Sequence, residues 1–316
     1  MTSTTGSRNE FFHRPVLADE AVNLLLTRRD GIYADLTCGG GGHLRLLAER
    51  LQPSAVILGI DRDPEALMAA RENLKSLSLK IELKNSTFGR LDELLAVAGI
   101  KEVDGILIDL GLSSYQIDTA SRGFSFMKDG PLDMRMDTWS SLTAAAVVNE
   151  YSEERLTAIF REYGEEKRAA RIARAIRETR SRQKIMTTLQ LVAILKPHLP
   201  SRDVNSSLAR LFQALRIEVN RELEELETVL PKVLRALRSG GRAVVISYHS
   251  LEDRRVKRFF ALESRDCLCP PRIPVCVCGH KATVRLLTRK AVKPSREEIS
   301  VNRRAQSARL RAVEKL

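Results

Sequence analysis

The sequence predicts an α/β protein built on a doubly wound parallel sheet, with an all-helical domain inserted into it. Short apolar runs alternate with amphipathic segments through residues 1–112. Four consecutive glycines, residues 39–42, follow the first of these apolar runs. The alternation stops at about residue 113 and resumes after residue 207. We therefore predict that 1–112 and 208–316 form one sheet domain and that 113–207 is the inserted helical domain.

The first part of the sheet domain contains four predicted strands with helices between them. The strands are predicted at 32–36, 55–61, 80–84 and 103–110, and the second and fourth are continuous apolar runs, typical of strands buried on both faces. Helices are predicted at 18–26, 44–51, 63–74 and 91–97. The third of these begins with Asp63 and Pro64, a favourable N-cap and first-turn pair. This alternation indicates parallel strands joined by right-handed crossovers.

The remaining elements are mostly helical until the sheet resumes. Residues 156–163 and 169–176 each form one apolar helical face, and the apolar positions of 212–230 step by three and four, which predicts one long amphipathic helix. Gly240 and Gly241 predict a turn before a fifth strand at 242–248. Residues 282–288 and 307–313 alternate as two final strands, which we expect to form an antiparallel edge pair.

The composition predicts a globular protein with affinity for polyanions. The 316 residues are 43% hydrophobic, enough for a sizeable core, and 52 Lys and Arg against 40 Asp and Glu give a net charge of +12. No apolar run approaches the length of a membrane span, and the first residues lack the apolar core of a signal peptide. We expect a cytoplasmic protein with no membrane association. The oligomeric state is left open, with a dimer as one candidate.

The glycine run and a downstream acid predict a nucleotide-type cofactor site. Four glycines are costly unless the backbone needs positive φ or a ligand approaches closely. Asp61 ends the second strand, where a carboxylate can accept both hydroxyls of a ribose. The contiguous glycines, which end at His43, match the dehydrogenase fingerprint poorly. The alternatives are a flexible loop, Asp61 as a helix cap and His43 as a packing residue.

Polar residues that follow the fourth and fifth strands are candidates for the chemistry. Ligands of open α/β sheets bind outside the carboxyl ends of the strands. Asp109 can accept a proton or hydrogen bond from a substrate amine, and Gln116 can bind the cofactor or a base. His249 can orient the substrate if strands four and five are neighbours. The alternatives are a turn or cap at Asp109, a solvated Gln116, and a packed His249 before a helix capped by Ser250.

Residues 122–137 predict a loop that contacts a nucleobase. The segment joins two aromatic rings suited to base stacking, Phe124 and Phe126, to acids and arginines. Asp133 is a second carboxylate candidate on the substrate side. The alternatives are that both phenylalanines anchor the core and that Asp133 forms an ion pair with Arg135.

Residues 167–184 predict a nucleic-acid contact, because they contain eight basic residues and one acid. The alternative is a solvated helix face. The arginines that share the polar face of this helix are Arg168, Arg171, Arg174 and Arg177.

Two Cys-x-Cys pairs predict a tetrahedral structural zinc site. They consist of Cys267, Cys269, Cys276 and Cys278. Cys-x-x-Cys spacing is more typical of zinc, and the alternative is a set of reduced, packed thiols.

Together these motifs resemble the bacterial 16S ribosomal RNA cytosine-N4 methyltransferases, the RsmH or MraW family of class I S-adenosylmethionine-dependent enzymes. The resemblance covers nearly the whole chain, through segments 13–17, 39–43, 61–63, 109–116, 122–137, 212–226, 240–254 and 307–311. It implies a Rossmann-like methyltransferase domain interrupted by a helical substrate-recognition domain. It also implies methylation of N4 of a cytidine in the decoding region of the small ribosomal subunit, yielding N4-methylcytidine and S-adenosylhomocysteine.

The resemblance also implies site residues and a partner. The partner is 16S rRNA in the small ribosomal subunit, either naked or assembled. We expect Asp109 to act in catalysis, with Asp133 and His249 as weaker substrate-side candidates. The family's cofactor-binding residues carry over onto Gly41, Gly42, His43, Asp61, Phe88, Asp109 and Gln116.

The residues after the fourth strand depart from a wider class of enzymes. The wider class of amino-methyltransferases usually has two prolines and an aromatic residue after the fourth strand, whereas this sequence has Leu110, Gly111 and Leu112. The detailed mechanism of that class is therefore not carried over. The alternative functions are methylation of another RNA or DNA amine, a nicotinamide-dependent oxidoreductase, and a non-enzymatic ribosome-binding factor. The contiguous glycines and the basic insert argue against the oxidoreductase.

Overall fold

A computed structural model describes residues 15–270 and 275–316, so His13 and Arg14 of the first motif lie outside the described residues. The described residues form seven strands and thirteen α-helices. The strands are β1 (Ile32–Asp35), β2 (Val56–Asp61), β3 (Lys80–Asn85), β4 (Val103–Asp109), β5 (Leu237–Ser247), β6 (Val284–Leu286) and β7 (Arg309–Lys315). The helices are α1 (Ala18–Leu25), α2 (Gly42–Ala48), α3 (Pro64–Leu74), α4 (Leu91–Val97), α5 (Ser114–Asp118), α6 (Ala144–Glu150), α7 (Glu153–Glu162), α8 (Ala169–Arg180), α9 (Thr188–Leu195), α10 (Val204–Asn220), α11 (Glu222–Ala236), α12 (Ser250–Glu263) and α13 (Arg296–Val301).

All seven strands form one sheet in the order β3-β2-β1-β4-β5-β7-β6. Strands β1 to β5 pair in parallel, whereas β7 is antiparallel to both β5 and β6. The Rossmann-like α/β class and the final antiparallel pair are therefore confirmed. The strand order reverses between β1 and β4, and open α/β sheets bind ligands at the carboxyl ends of strands beside such a reversal.

The sheet is covered on both faces because its central strands are apolar throughout. Along β4, Ile106 and Ile108 contribute to the core beneath α4, α11 and α12. Leu107, between them, faces the opposite way and packs with α1 and α2. Side chains alternate between the two faces of a strand, so a continuous apolar run requires cover on both sides.

The inserted helices have a hydrophobic core of their own. It runs from Phe124 to Val219 and is formed by α6 to α10. Helix α10 packs with this layer over its whole length, so the layer extends past residue 207, where the sequence division was drawn. The inserted helices therefore have a core that is separate from the clusters packed on the two faces of the sheet.

Two local predictions are wrong. The single long helix expected at 212–230 is two helices, because Arg221 adopts a left-handed conformation with φ 50° between α10 and α11. The apolar period continues across this break, so periodicity alone does not reveal it. Gly240 and Gly241 lie inside β5 rather than before it, where the pairing with β4 shifts register as in a β-bulge.

Among the described residues, every helix is too short or too polar to span a bilayer.

Candidate active site

A cavity of about 690 Å³ opens at the carboxyl ends of β1, β2, β4 and β5. This size is usual for small-molecule and cofactor sites. The lining contains every predicted cofactor residue except Gly41: Gly42, His43, Asp61, Phe88, Asp109 and Gln116.

The glycine loop is packed against its neighbours, which contradicts the flexible-loop alternative. Gly41 precedes α2 with φ 83°, and a Cβ atom there would come within 3.1 Å of Leu74 on α3. A Cβ atom on Gly42 would approach Pro15 to 2.6 Å. Glycine is therefore required at position 41 by the left-handed backbone and by the close approach of α3. Of Gly41 and Gly42, only Gly42 lines the cavity.

Asp61 lines the cavity and accepts hydrogen bonds from two loop N–H groups, and it does not cap a helix. Its Oδ2 atom accepts a hydrogen bond of 2.8 Å from the Gly39 N–H, and its Oδ1 accepts one of 2.9 Å from the Asp63 N–H. Asp63 caps α3 as predicted, by accepting from the Glu65 N–H. Burial raises the pKa of Asp61. Each carboxylate oxygen can accept a second hydrogen bond, so the ribose role stays a prediction that this geometry allows.

Gln116 is buried, which contradicts the solvated alternative. Its Oε1 accepts from the Ser113 N–H at 3.0 Å as part of a capping box, and its Nε2 donates to Asp63 Oδ2 at 2.7 Å. These hydrogen bonds connect α5, which borders the cavity, to the start of α3. Phe88 follows β3 and contributes an apolar surface, with the Arg62 guanidinium 5.3 Å from its ring centroid.

Asp109, the last residue of β4, is one of the carboxylates that line the cavity. Its Oδ1 accepts a 2.9 Å hydrogen bond from the Tyr248 hydroxyl, and its Oδ2 lies 3.6 Å from His43 Nδ1. The side chain is 22% exposed, so a ligand in the cavity can reach it. Burial raises the pKa of Asp109 to about 8, opposed by the hydrogen bond from Tyr248 and assisted by the charges of Asp35 and Glu252.

His43 presents a lone pair to Asp109. Its Nε2 is 3.2 Å from the Val16 carbonyl oxygen, which can only accept, so Nε2 carries the hydrogen and Nδ1 does not. Burial lowers the pKa of His43 to about 4, which keeps the ring neutral at pH 7. When Asp109 is ionised, its Oδ2 and His43 Nδ1 are two acceptors that face each other. An N–H donor of a ligand can satisfy both.

Sequence reasoning missed three residues at this edge of the sheet: Asp35, Thr37 and Tyr248. Thr37 Oγ1 accepts from the Asp109 N–H at 2.6 Å, and Asp35 Oδ1 accepts from the Thr37 N–H at 3.0 Å. Burial raises the pKa of Asp35 to about 7, and its Oδ2 has no hydrogen-bond partner among the described residues. All three lie at or just after the end of β1 or β5, which is the signal that could have identified them.

Asp133 and His249 do not line the cavity. Both oxygens of Asp133 accept from the Arg135 guanidinium, at 2.8 and 2.7 Å, which is the ion pair of the alternative interpretation. His249 immediately precedes α12, and its Nε2 lies 3.0 Å from Glu252 Oε1. The cavity is instead lined beside Tyr248 by Glu252 and Glu222. The substrate-side roles of Asp133 and His249 stay predictions.

Phe124 and Phe126 are core anchors, so the base-stacking interpretation is wrong. Phe124 is buried in the helical core, and Phe126 packs edge-on against Phe212 with ring centroids 5.8 Å apart. A ring inserted into a core is not available to a base. Tyr115 is the exposed aromatic residue in the cavity lining, at 54% exposure.

Helix α8 presents its arginines to solvent, opposite a buried face of alanine and isoleucine. Arg171 donates from Nε to His198 Nδ1 at 3.1 Å, and Arg168 donates to the His198 carbonyl oxygen at 3.2 Å. Arg174 and Arg177 instead pair with Glu153 at 3.6 and 3.1 Å. The charges of Arg168 and Arg171 are therefore the better placed to meet a phosphate.

The four clustered cysteines lie in the loop between α12 and β6. Their sulfur atoms all lie within 4.8 Å of one another.

Known proteins similar to this chain are methyltransferases. The family model described as the MraW methylase family matches residues 10–316. A protein of Caldicellulosiruptor bescii named ribosomal RNA small subunit methyltransferase H is 49% identical over 307 residues, covering 97% of this chain and 100% of that protein. A protein of the same name from Syntrophotalea carbinolica is 48% identical over 313 residues, covering 98% and 100%. The solved structure of an rRNA methylase from Streptococcus thermophilus is 14% identical, with a TM-score of 0.41 over 95% of this chain and 93% of that one.

Proposed function

The chain belongs to the MraW methylase family, and from this premise we propose that it transfers the methyl group of S-adenosylmethionine to N4 of a cytidine in the decoding region of 16S rRNA. The observation that carries the proposal is Asp109, an accessible carboxylate at the β1/β4 reversal whose neighbours leave room for an amine donor. The substrate would be met in the cytoplasm, in the small ribosomal subunit. The products would be N4-methylcytidine and S-adenosylhomocysteine.

The cavity residues suit the chemical groups of S-adenosylmethionine. The Asp61 carboxylate can accept ribose hydroxyls, and Phe88 offers an apolar surface to the adenine. Gly42 brings the amino-terminal end of α2 to the cavity, and the facing acceptors on His43 and Asp109 suit an amine or ammonium group. S-adenosylmethionine, when bound, supplies an electrophilic methyl group.

Asp109 has the properties required of a proton acceptor. An exocyclic amine that gains a methyl group carries one excess proton, which must leave for the product to be neutral. The pKa of Asp109, raised to about 8, lies close to the operating pH, where a general base is most effective. The Tyr248 hydroxyl, just after β5, donates to this carboxylate, and the Thr37 hydroxyl, just after β1, accepts from the Asp109 backbone N–H. Asp109 therefore both orients the amine and removes its proton.

The RNA-binding surface in this proposal combines α8 with the mouth of the cavity. The exposed Arg168 and Arg171 can neutralise backbone phosphates, and such contacts weaken as salt rises. Tyr115 can stack on a base that has been turned out of the RNA, because its exposed ring borders the cavity. Phe124, which is buried in the helical core, and Phe126, which packs against that core, have no part in this step.

A methyl-transfer assay on small ribosomal subunits tests the proposal. Purified protein is incubated with isotope-labelled S-adenosylmethionine and either assembled subunits or deproteinised 16S rRNA, and digested nucleosides are identified by mass spectrometry. We expect label in N4-methylcytidine. Asp109→Asn should reduce the transfer rate by about 100-fold or more, as loss of a general base does. Asp30→Asn, an exposed carboxylate at the opposite edge of the sheet, should leave the rate unchanged.

The same assay separates the alternatives. Label in a different nucleoside would replace cytidine N4 as the acceptor while keeping the methyltransferase activity. An Asp109→Asn variant that keeps the full rate would contradict the catalytic assignment.

A further inference from the structure

We propose that Cys267, Cys269, Cys276 and Cys278 bind one structural zinc ion that holds together the loop between α12 and β6. Nothing in the methyl-transfer site requires such a centre, so this inference is independent of the proposed function.

Three of the sulfur atoms have the mutual distances of a tetrahedral thiolate site, and the fourth, Cys269 Sγ, lies within 4.8 Å of each of them. Cys267 Sγ lies 3.4 Å from Cys276 Sγ and 3.8 Å from Cys278 Sγ, and Cys276 Sγ lies 3.6 Å from Cys278 Sγ. Four thiolates at the usual Zn–S distance of about 2.3 Å stand roughly 3.8 Å apart in a regular tetrahedron. One ion at the centre of the cluster can therefore reach all four sulfurs.

The backbone around the sulfurs forms a reciprocal set of hydrogen bonds. Leu268, between the first two cysteines, donates its N–H to Cys278 Sγ at 3.3 Å. Val277, between the second two, donates its N–H to Cys269 Sγ at 3.4 Å. Each pair thus supplies a donor to the second sulfur of the other pair. Donors aimed at sulfur favour the thiolate form, which is the form that ligates zinc.

The exposure of the cysteines argues against the packed-thiol alternative. Cys267, Cys276 and Cys278 are exposed and Cys269 is partly exposed, whereas free cysteine is normally one of the most buried residue types. None of the four belongs to a hydrophobic cluster of the described residues. All are free thiols, and their sulfurs are too far apart for a disulfide. A metal ion accounts for an exposed cluster of four sulfurs that packing does not explain.

The position of the cluster assigns the ion a structural role. The base of the loop is closed by the Thr283 N–H, which donates to the Glu263 carbonyl oxygen at 2.8 Å, and by His280 Nε2 at 3.2 Å from the Leu262 carbonyl oxygen. Beyond this base, the loop exposes Val275 and Val277 at 72% and 76%. The cluster lies past the carboxyl end of α12, a helix of 14 residues and roughly 21 Å long, whereas Glu252, near the other end of this helix, lines the cavity. Zinc would thus order the loop without touching the reacting groups.

Metal analysis of the protein as purified, under reducing conditions and without chelator, tests this inference. We expect one zinc per chain in the wild type and a loss of nearly all zinc in the Cys276→Ser/Cys278→Ser double variant. Cys38→Ser is the matched control, because Cys38 is the one cysteine outside the cluster and is buried. It should retain the wild-type zinc content.

Two further measurements keep the inference falsifiable. Replacement of zinc by Co²⁺ should give the visible absorption of tetrahedral thiolate coordination, which the double variant should lack. Alkylation of the denatured protein, with a chelator and without a reductant, tests for disulfides. It should modify all five cysteines. A wild-type chain without zinc, a double variant with wild-type zinc, iron in place of zinc, or four cysteines protected as disulfides would each overturn the assignment.

Discussion

At the scale of single residues, two buried carboxyl groups at the carboxyl ends of β1 and β4, Asp35 and Asp109, lower the stability of the fold at neutral pH. Burial raises the pKa of Asp35 to about 7 and that of Asp109 to about 8, from the 3.8 expected in the unfolded chain. Between these values the folded state binds more protons than the unfolded state. The contribution of both groups to stability is therefore fully present below about pH 4 and is lost as the pH rises toward 8. The raised pKa that suits Asp109 to act as a base therefore lowers the stability of the folded protein at neutral pH.

Tyr248→Phe tests whether Asp109 is the titrating group. The variant loses the 2.9 Å hydrogen bond that lowers the pKa of Asp109, so that pKa should rise. The rising limb of kcat/KM against pH should move to higher pH, with about a fivefold lower rate at pH 7, equivalent to roughly 1 kcal/mol for one hydrogen bond. Tyr151→Phe, in the helical layer, should leave the profile unchanged. An unchanged profile in Tyr248→Phe would mean that another group titrates.

At the scale of elements, α8 shows how one helix can serve two purposes. Ile172 and Ile176 are buried in the helical core, and the arginines project from the opposite face. The apolar stripe holds the helix in place, and the polar face is left to interact with a polyanion. Within that face Glu153 partly neutralises Arg174 and Arg177, whereas Arg171 contacts only the imidazole of His198 among its identified partners.

Arg171→Gln should weaken RNA binding through the loss of one phosphate contact. The slope of log affinity against log salt should fall by about 0.7 to 0.9, the value for one released counterion. The measurement is equilibrium binding to 16S rRNA over a series of salt concentrations. Arg28→Gln is the matched control, because Arg28 is also exposed but precedes β1 at the edge of the sheet opposite the cavity. Equal slopes for Arg171→Gln and wild type would place the RNA on another surface.

At the scale of the whole molecule, the buried Arg122 side chain joins the helical layer to the sheet domain, and the Asn220 side chain fixes Met136 beside it. Arg122 donates to Asp63 and Glu65 near the start of α3, at 2.9 and 2.6 Å, and also to the Met136 carbonyl oxygen at 3.1 Å. Asn220, at the α10–α11 junction, accepts from the Met136 N–H at 2.8 Å. Met136 lines the cavity, so these contacts couple the position of the inserted domain to the shape of the site.

Asn220→Ala should reduce both stability and the methyl-transfer rate. It removes the bond to the Met136 N–H and the donor to the Met134 carbonyl oxygen, leaving buried polar groups unpaired at a cost of about 2 to 3 kcal/mol. Asn149→Ala is the matched control, because Asn149 makes a similar set of bonds to Ala145 and Ile185 within the helical layer.

Chemical denaturation and single-turnover transfer rates measure the two effects. Both variants should lose stability, but only Asn220→Ala should lose transfer rate per folded molecule. Equal rates for the two variants would show that this junction does not shape the site.

Much of the fold and part of the site could be predicted from the sequence. Asp61 and Asp109 were identified because each ends an apolar run, and carboxyl ends of parallel strands converge on one edge. Tyr248 was missed because its importance depends on β5 lying beside β4, which the local pattern does not state. Phe124 and Phe126 were misassigned because an aromatic residue in a polar loop has the same local signature whether it packs inward or faces a ligand.

By itself the sequence determined the strands, most of the helices, the glycine loop, the acids at the strand ends and the cysteine pairs, because each is encoded in the spacing of neighbouring residues. Only the tertiary structure decided the strand order, the break at Arg221, the packing role of Gly41 and the pairing of Asp109 with Tyr248 and His43. These four features depend on contacts between segments that are far apart in the sequence. Such segments come together because they bury apolar surface against each other, and the polar groups buried with them must then form hydrogen bonds to one another. The period of apolar residues predicts which face of a helix or strand is buried. Tertiary packing decides which other element covers that face.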